Sequence, residues 1–120
     1  MKPDTVISIQ PYFKIHQGKR DDFASSFADF VNKSKTEENM VFYNFAVKDD
    51  VVFCREGYKD GESVLAHLAN VDELFKKALT MSDLIKLEVC GPPSELEKVK
   101  EALTPLGAEF WALESVGVRH

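Results

Sequence analysis

The sequence predicts an α+β domain in which an antiparallel sheet carries helices on one face. Three observations lead to this fold class. Apolar and β-branched residues alternate in residues 5–15, 40–48 and 51–58, which is the period of a strand. Apolar residues recur at helical spacing in residues 18–35 and again from Asp60 to Leu79. The charged pair Asp49-Asp50 separates two of the strands and predicts a hairpin turn.

The first strand places Ile7, Ile9, Phe13 and Ile15 on one face. Pro11 interrupts this run and has no N–H to donate to a neighbouring strand, which favours either an edge position or a bulge. A single helix is expected over residues 18–35, with acidic residues in its first turn and lysines near its end.

The second helix is expected to begin at Asp60, a residue type that caps helix N-termini. Asn70 followed by Glu73 resembles a capping box, so we expect this helix to break or bend near Ala69. A strand over residues 84–90 should place Ile85, Leu87 and Val89 on one face.

A second capping box, Ser94 and Glu97, predicts a further helix, and residues 108–118 are expected to form the last strand. The predicted order is therefore β-α-β-β-α-β followed by α-β. The first six elements are those of the ferredoxin-like split βαβ fold. We expect one domain over residues 1–120, with a core at about 5–91 and a C-terminal extension at about 92–120.

Composition excludes several classes of protein. The formal net charge of −5 and the absence of a basic run disfavour nucleic-acid binding. No apolar run is long enough to cross a membrane, and no signal peptide is expected. Cys54 and Cys90 are predicted to be reduced thiols in a cytoplasmic protein. The histidines His16, His67 and His120 have no metal-ligand spacing, so no metal site is expected.

The sheet face without helices is predicted to be too apolar for water. The residues assigned to it are Phe42, Ala46, Val52, Cys54 and either Phe110 or Trp111. An apolar sheet face of this kind indicates a protein partner, and a homodimer that packs sheet against sheet is the simplest one.

The stretch that ends the hairpin resembles a known family. Glu56-x-Tyr58-Lys59-Asp60, followed by Ala66-His67 and Phe75, is similar to the antibiotic biosynthesis monooxygenase (ABM) domain. The resemblance covers about residues 5–91 and implies a dimeric α+β barrel. Some members of that family oxidise phenolic or quinol compounds with molecular oxygen and without a metal or flavin, whereas many have no known reaction.

A haem-degrading branch of the same fold uses an Asn, a Trp and a His. Here His67 stands at the position that matches the Trp, and the position of the haem ligand falls near Ala78 or Leu79. The resemblance therefore disfavours haem, and we expect no cofactor.

His67 and Tyr58 are the predicted catalytic residues. An imidazole can accept a proton from a phenol or quinol, and Tyr58 can hydrogen-bond a bound oxygen atom or orient the imidazole. Glu56 can fix the imidazole tautomer or pair with a basic group such as Arg55 or Arg119. The structural alternative is that His67 is a boundary residue, that Glu56 lies at the dimer seam, and that Tyr58 closes the barrel end.

The predicted ligand-binding residues are Phe13, Tyr43, Asn44, Phe45, Glu56 and Phe75. Aromatic rings suit a flat ligand, although rings at these spacings also fill cores. The function hypothesis is a cofactor-independent monooxygenase that acts on a small aromatic, quinol or polyketide-like molecule. The alternative is a non-catalytic ligand-binding or stress-related dimer of the same fold.

Overall fold

The computed structural model describes residues 2–120 as an α+β fold with one five-stranded sheet. The elements are β1 (Ile7–Ile15), α1 (Arg20–Ser25), α2 (Phe27–Ser34), β2 (Met40–Lys48), β3 (Val51–Tyr58), α3 (Gly61–Asn70), α4 (Asp72–Ala78), β4 (Ser82–Gly91), α5 (Pro93–Leu103), a 3₁₀ turn (Thr104–Leu106) and β5 (Glu109–Ala112).

The strand order across the sheet is β2-β3-β1-β4-β5. Strands β1 to β4 pair antiparallel in the order of the ferredoxin-like plan, which confirms the predicted fold class. β5 pairs parallel to β4 because α5 carries the chain back along the sheet, so the whole sheet is mixed. β5 has four residues, Glu109–Ala112, and the prediction of a strand over residues 108–118 is wrong.

Pro11 lies in the middle of the sheet, so the edge position is wrong. The register between β1 and β3 has no paired residues at Gln10 and Pro11, where the missing N–H falls. The bulge lies beside it in β4: Tyr12 pairs with Lys86 and Phe13 pairs with Leu84, so Ile85 is skipped. Ile85 is consequently 54% exposed and does not share the buried face of Leu87 and Val89.

Both long helices are broken. The predicted helix over residues 18–35 is two helices, α1 and α2, which meet at Ser26, where the hydroxyl donates to the Phe23 carbonyl at 2.6 Å. The second helix ends at Asn70 and resumes at Asp72, two residues beyond the expected break.

Neither predicted capping box caps its helix. The amide of Asn70 does not cap α4 and donates instead to the Lys33 carbonyl and to Glu37. α5 begins at Pro93 without a side-chain cap, so the role assigned to Ser94 is also wrong.

The helices pack on one face of the sheet over two clusters of buried apolar residues. One cluster contains Ile7, Ile9, Tyr58, Val64, Leu87, Val89, Leu96, Val99 and Leu103. The other contains Phe13, Ile15, Phe23, Phe30, Val52, Val71, Ala78 and Met81. Val52 and Cys54 are buried on this side, so their assignment to the helix-free face is wrong.

The opposite face, which we call the open face, carries Tyr12, Phe42, Ala46, Phe53 and Trp111. The rings of Tyr12 and Phe53 lie 5.1 Å apart, and the guanidinium of Arg55 lies 4.3 Å above the Phe42 ring. Trp111 is 55% exposed, whereas Phe110 packs against the core. Within residues 2–120, no helix is long and apolar enough to cross a membrane.

Gly61 allows α3 and α5 to approach closely. A Cβ at this position would lie 2.9 Å from the Glu95 carbonyl oxygen and 2.9 Å from the Lys98 Cβ. We expect Gly61→Ala to lower the free energy of unfolding by about 1–3 kcal/mol, because the two helices must separate. Urea unfolding measures this change.

Gly117 provides the matched control. A Cβ there would lie 3.9 Å from the nearest atom, the Glu114 carbonyl oxygen, so Gly117→Ala should change the same free energy by less than about 0.5 kcal/mol. Equal effects of the two substitutions would contradict the close contact between α3 and α5.

Candidate functional site

The end of β3 and the start of α3 bring the site together. Glu56 and Tyr58 lie on the helix-covered face of β3 and are buried. Asp60 accepts a hydrogen bond from the Ser63 N–H at 2.9 Å, which confirms that it caps α3. The helix then runs back across the sheet, so that His67 in its last turn faces Glu56.

The His67 ring lies between two carboxylates. Its Nδ1 is 2.9 Å from Glu37 Oε2 and 3.1 Å from Glu37 Oε1. Its Nε2 is 3.3 Å from Glu56 Oε1. His67 is 2% exposed and Glu56 is 5% exposed, so water screens these contacts weakly.

Two further side chains hold the carboxylates in place. The Tyr58 hydroxyl donates to Glu56 Oε1 at 2.7 Å, and the Asn70 amide donates to Glu37 Oε2 at 2.9 Å. We call the group of Glu37, Glu56, Tyr58, His67 and Asn70 the histidine cluster. Its hydrogen bonds fix the imidazole in one orientation.

The charges of the cluster follow from burial and proximity. Burial alone would lower the pKa of His67, but the Glu56 carboxylate and then the Glu37 carboxylate outweigh it and raise that pKa. Burial, followed by the charge of Glu56, raises the pKa of the Tyr58 and Tyr43 phenols and of the Cys54 thiol. The cluster therefore stabilises the charged form of the imidazole and the neutral forms of the neighbouring hydroxyls and thiol.

A cavity of about 400 Å³ lies between the sheet and the helices and reaches the cluster at Glu56 and His67. Tyr43 and Cys54 lie at this polar end. The walls are mainly aromatic and aliphatic. They include Phe13, Phe23, Phe30, Phe45, Val71, Phe75, Leu84 and Leu87. Ala69, Asp72 and Pro105 border the cavity and are exposed, so they mark its mouth.

Most of the predicted site residues meet at this cavity, which Phe13, Tyr43, Phe45, Glu56, His67 and Phe75 all border. Two predicted residues do not border it. Tyr58 lies behind Glu56, to which its hydroxyl donates, and its ring lies 5.2 Å from the His67 ring. Asn44 pairs with Arg55 and points to the open face, because Tyr43 and Phe45 occupy the cavity side of β2.

Sequence reasoning missed Glu37 and Asn70. Glu37 lies in the loop between α2 and β2, within the polar run Thr36-Glu37-Glu38-Asn39, and has no local pattern that distinguishes it from a solvated loop residue. The polar side chain of Asn70, three residues after His67, was the available signal, and it was interpreted as a helix cap.

The fold of this chain resembles several solved structures. No protein-family model matches the sequence, and no curated protein matches it. The crystal structure of MupZ from Pseudomonas fluorescens is 30% identical over 97% of this chain and 96% of that chain, with a TM-score of 0.90. This chain belongs to the same family as MupZ.

Shorter structures share the fold of MupZ and of this chain. An antibiotic biosynthesis monooxygenase is 13% identical over 69% of this chain and 94% of that one, with a TM-score of 0.64. A conserved protein from Methanosarcina mazei Go1 is 17% identical over 71% of this chain and 88% of that one, with a TM-score of 0.64. The ABM fold is therefore confirmed.

The C-terminal extension contributes to the cavity. Ala102 and Leu103 at the end of α5, with Pro105 and Leu106 in the 3₁₀ turn, form part of its wall. These four residues of the extension therefore cover part of the cavity. The MupZ match spans nearly the whole chain, whereas the two shorter structures match about the length of the core alone.

The raised pKa of His67 gives folding stability a pH dependence. The stabilisation is fully present below the unfolded pKa of 6.5 and is lost as pH rises through the higher folded pKa. We expect the free energy of unfolding to fall from pH 6.5 upward, by at most about 1.4 kcal/mol per pH unit. Urea unfolding at a series of pH values measures the slope.

His67→Gln should remove this slope, because glutamine does not titrate. His16→Gln is the control: His16 contacts Asp83 at 3.0 Å on the surface, and its replacement should leave the slope in place. A slope that persists in His67→Gln would show that another group causes it.

Proposed function

We propose that this chain is an enzyme that moves protons to and from a small, mainly apolar molecule bound in the cavity. One observation carries the proposal: a buried imidazole between two carboxylates borders an aromatic cavity of about 400 Å³. Buried charged groups cost stability unless they are paired, and perturbed pairs beside a cavity are characteristic of catalytic sites.

The geometry favours Glu56 as the general base. A charged imidazole has no free lone pair, whereas Glu56 is a carboxylate that borders the cavity. In this proposal a substrate hydroxyl gives its proton to Glu56, and the positive His67 stabilises the resulting anion. Glu37 and Tyr58 are positioning residues, because they act through His67 and Glu56 respectively.

The first candidate reaction is monooxygenation of a phenolic, quinol or polyketide-like molecule. The ABM fold and the aromatic walls support it. Once the substrate anion has formed, it supplies the electrons that reduce molecular oxygen. One oxygen atom enters the substrate as a carbonyl, as in the oxidation of a phenol to a quinone, and the other leaves as water with two hydrogens taken from the substrate.

The second candidate is a proton-transfer reaction without oxygen, such as an isomerisation or an elimination. The raised pKa of His67 favours it, because the cluster then holds a proton donor and a proton acceptor side by side. In this reaction Glu56 takes a proton from one substrate atom and His67 donates one to another.

Glu56→Gln tests the proposed base. With quinols and hydroxylated polycyclic aromatics as test substrates, we expect the turnover rate to fall about 10²- to 10⁴-fold, because glutamine cannot accept the proton. Oxygen uptake and product mass are measured together. The non-catalytic alternative gains support if no compound is turned over by the unaltered protein.

Glu88→Gln is the matched control. Glu88 is also a strand carboxylate that accepts a hydrogen bond from a tyrosine, here Tyr12 at 3.2 Å, but it lies on the open face. The Glu88→Gln substitution should leave the turnover rate unchanged. Turnover that continues without oxygen and without a mass increase identifies the second reaction, and an unchanged rate in Glu56→Gln refutes the role of Glu56.

We also propose that the chain forms a homodimer through the open face. The half-buried rings of Tyr12, Phe42 and Phe53 and the exposed Trp111 form an apolar surface there. The resemblance to ABM domains, in which two sheets pack together, supports the same surface.

Solution mass measures this association. We expect twice the 13.5 kDa chain mass for the unaltered protein and the single-chain mass for Phe53→Lys, because the lysine would bury a charge between two sheets. Val31→Lys, at an exposed position on α2, should remain dimeric. A single-chain mass for the unaltered protein at micromolar concentration would refute the dimer.

A further inference from the structure

We infer that the cavity accepts a ligand whose buried end is an uncharged hydroxyl or carbonyl, and that it excludes a carboxylate or phosphate from that end. This inference rests on the proposed function, since it takes Glu56 and His67 as the groups that face the ligand. It adds the chemical class of the ligand, which acid–base chemistry alone leaves open.

The charged groups at the polar end of the cavity have a net negative charge. Among the cavity residues in the described part of the chain, there is no lysine or arginine. The titratable groups at the polar end are Glu56, His67, Tyr43 and Cys54, with Glu37 behind the imidazole. A charged His67 offsets one carboxylate, so the histidine cluster keeps an excess negative charge.

A ligand carboxylate at this end would meet that excess charge at close range. It would also lose its hydration inside walls that are mainly aliphatic and aromatic. Repulsion between like charges is strong where water is excluded, and no lysine or arginine borders the cavity to offset the excess. Anionic ligands are therefore excluded from the polar end by both desolvation and repulsion.

An uncharged oxygen group meets complementary partners at the same place. A hydroxyl can donate to Glu56 and accept from the Nε2–H of His67, which lies 3.3 Å from that carboxylate. A carbonyl can accept from the imidazole. Both satisfy buried polar groups without adding charge.

The rest of the cavity has apolar walls, so the part of the ligand beyond its oxygen group must be apolar. Phe13, Phe45 and Phe75 border the cavity together with Ala69 and Pro105, the exposed residues at its mouth. The ligand is therefore oriented with its oxygen group inward and its apolar part along the rings. A charged group elsewhere on the ligand would lie outside the mouth.

Histidine resonances report which end of a ligand reaches the cluster. The chain has three histidines, and His16 and His120 are exposed, so they act as internal controls. We would label the protein with ¹³C-histidine and titrate it with 1-decanol and with decanoate, two probes that differ only in the head group. Nuclear magnetic resonance then follows each imidazole.

We expect 1-decanol to shift the His67 resonance and to leave His16 and His120 unchanged. Decanoate should leave His67 unchanged at a concentration about tenfold above that at which 1-decanol saturates its shift. A His67 shift with decanoate equal to that with 1-decanol would overturn the inference. The inference would also be overturned if neither 1-decanol nor decanoate shifted the His67 resonance.

Three variants sharpen the test. Leu106→Trp narrows the cavity wall and should abolish the 1-decanol shift, whereas Val116→Trp adds the same bulk at a position that is 88% exposed and should not. Glu56→Gln removes the excess negative charge and should allow decanoate to shift His67. If decanoate still had no effect in a folded Glu56→Gln protein, charge would not be the basis of the selection.

These readouts measure binding and not turnover. A failure to find a reaction would refute the proposed function and leave the binding preference intact. Conversely, turnover of an anionic compound that shifts His67 would refute the preference and leave the acid–base role intact.

Discussion

The need to give a buried imidazole charged partners governs much of this structure. His67 is nearly inaccessible to water, and a lone imidazolium there would be strongly destabilising. Its partners come from two separate parts of the chain: Glu37 from a loop and Glu56 from the central hairpin. Asn70, the last residue of α3, donates its side-chain amide to Glu37 and holds that carboxylate beside the imidazole.

Burying such a cluster of charged groups costs desolvation free energy that apolar side chains would not cost. Buried ionic groups are often replaceable by apolar side chains without loss of stability, so their presence indicates a role other than stability. Phe13, Phe45 and Phe75 border the same cavity as the charged groups of the cluster. Members of both apolar clusters line this cavity, so the polar groups lie among otherwise apolar walls.

Local patterns in the sequence were sufficient for the hairpin and for Asp60 as a cap. For Glu56 they left open whether its partner was His67 or a basic group, and the structure places it beside His67. They were insufficient wherever a distant contact decided the outcome. Ile85 is exposed because β4 has a bulge at this residue where it pairs with β1. The alternation of apolar and polar residues in β4 does not reveal this change of register. Glu37 became a site residue only through contacts across thirty positions of sequence. Asn44 was assigned to a ligand because alternation shows which residues share a face, but not which face bears the cavity.

The two cysteines lie on opposite sides of the same sheet. Cys54 borders the cavity, whereas Cys90 is half-buried beside Ser8 and Trp111 on the open face. Burial raises the pKa of both thiols, so each reacts slowly with a thiol-labelling reagent. The labelling rate of each thiol depends on how accessible it becomes to the reagent. The chain therefore carries two native chemical reporters, one for occupancy of the cavity and one for whatever covers the sheet. Their labelling rates can be read separately in a single unmodified protein.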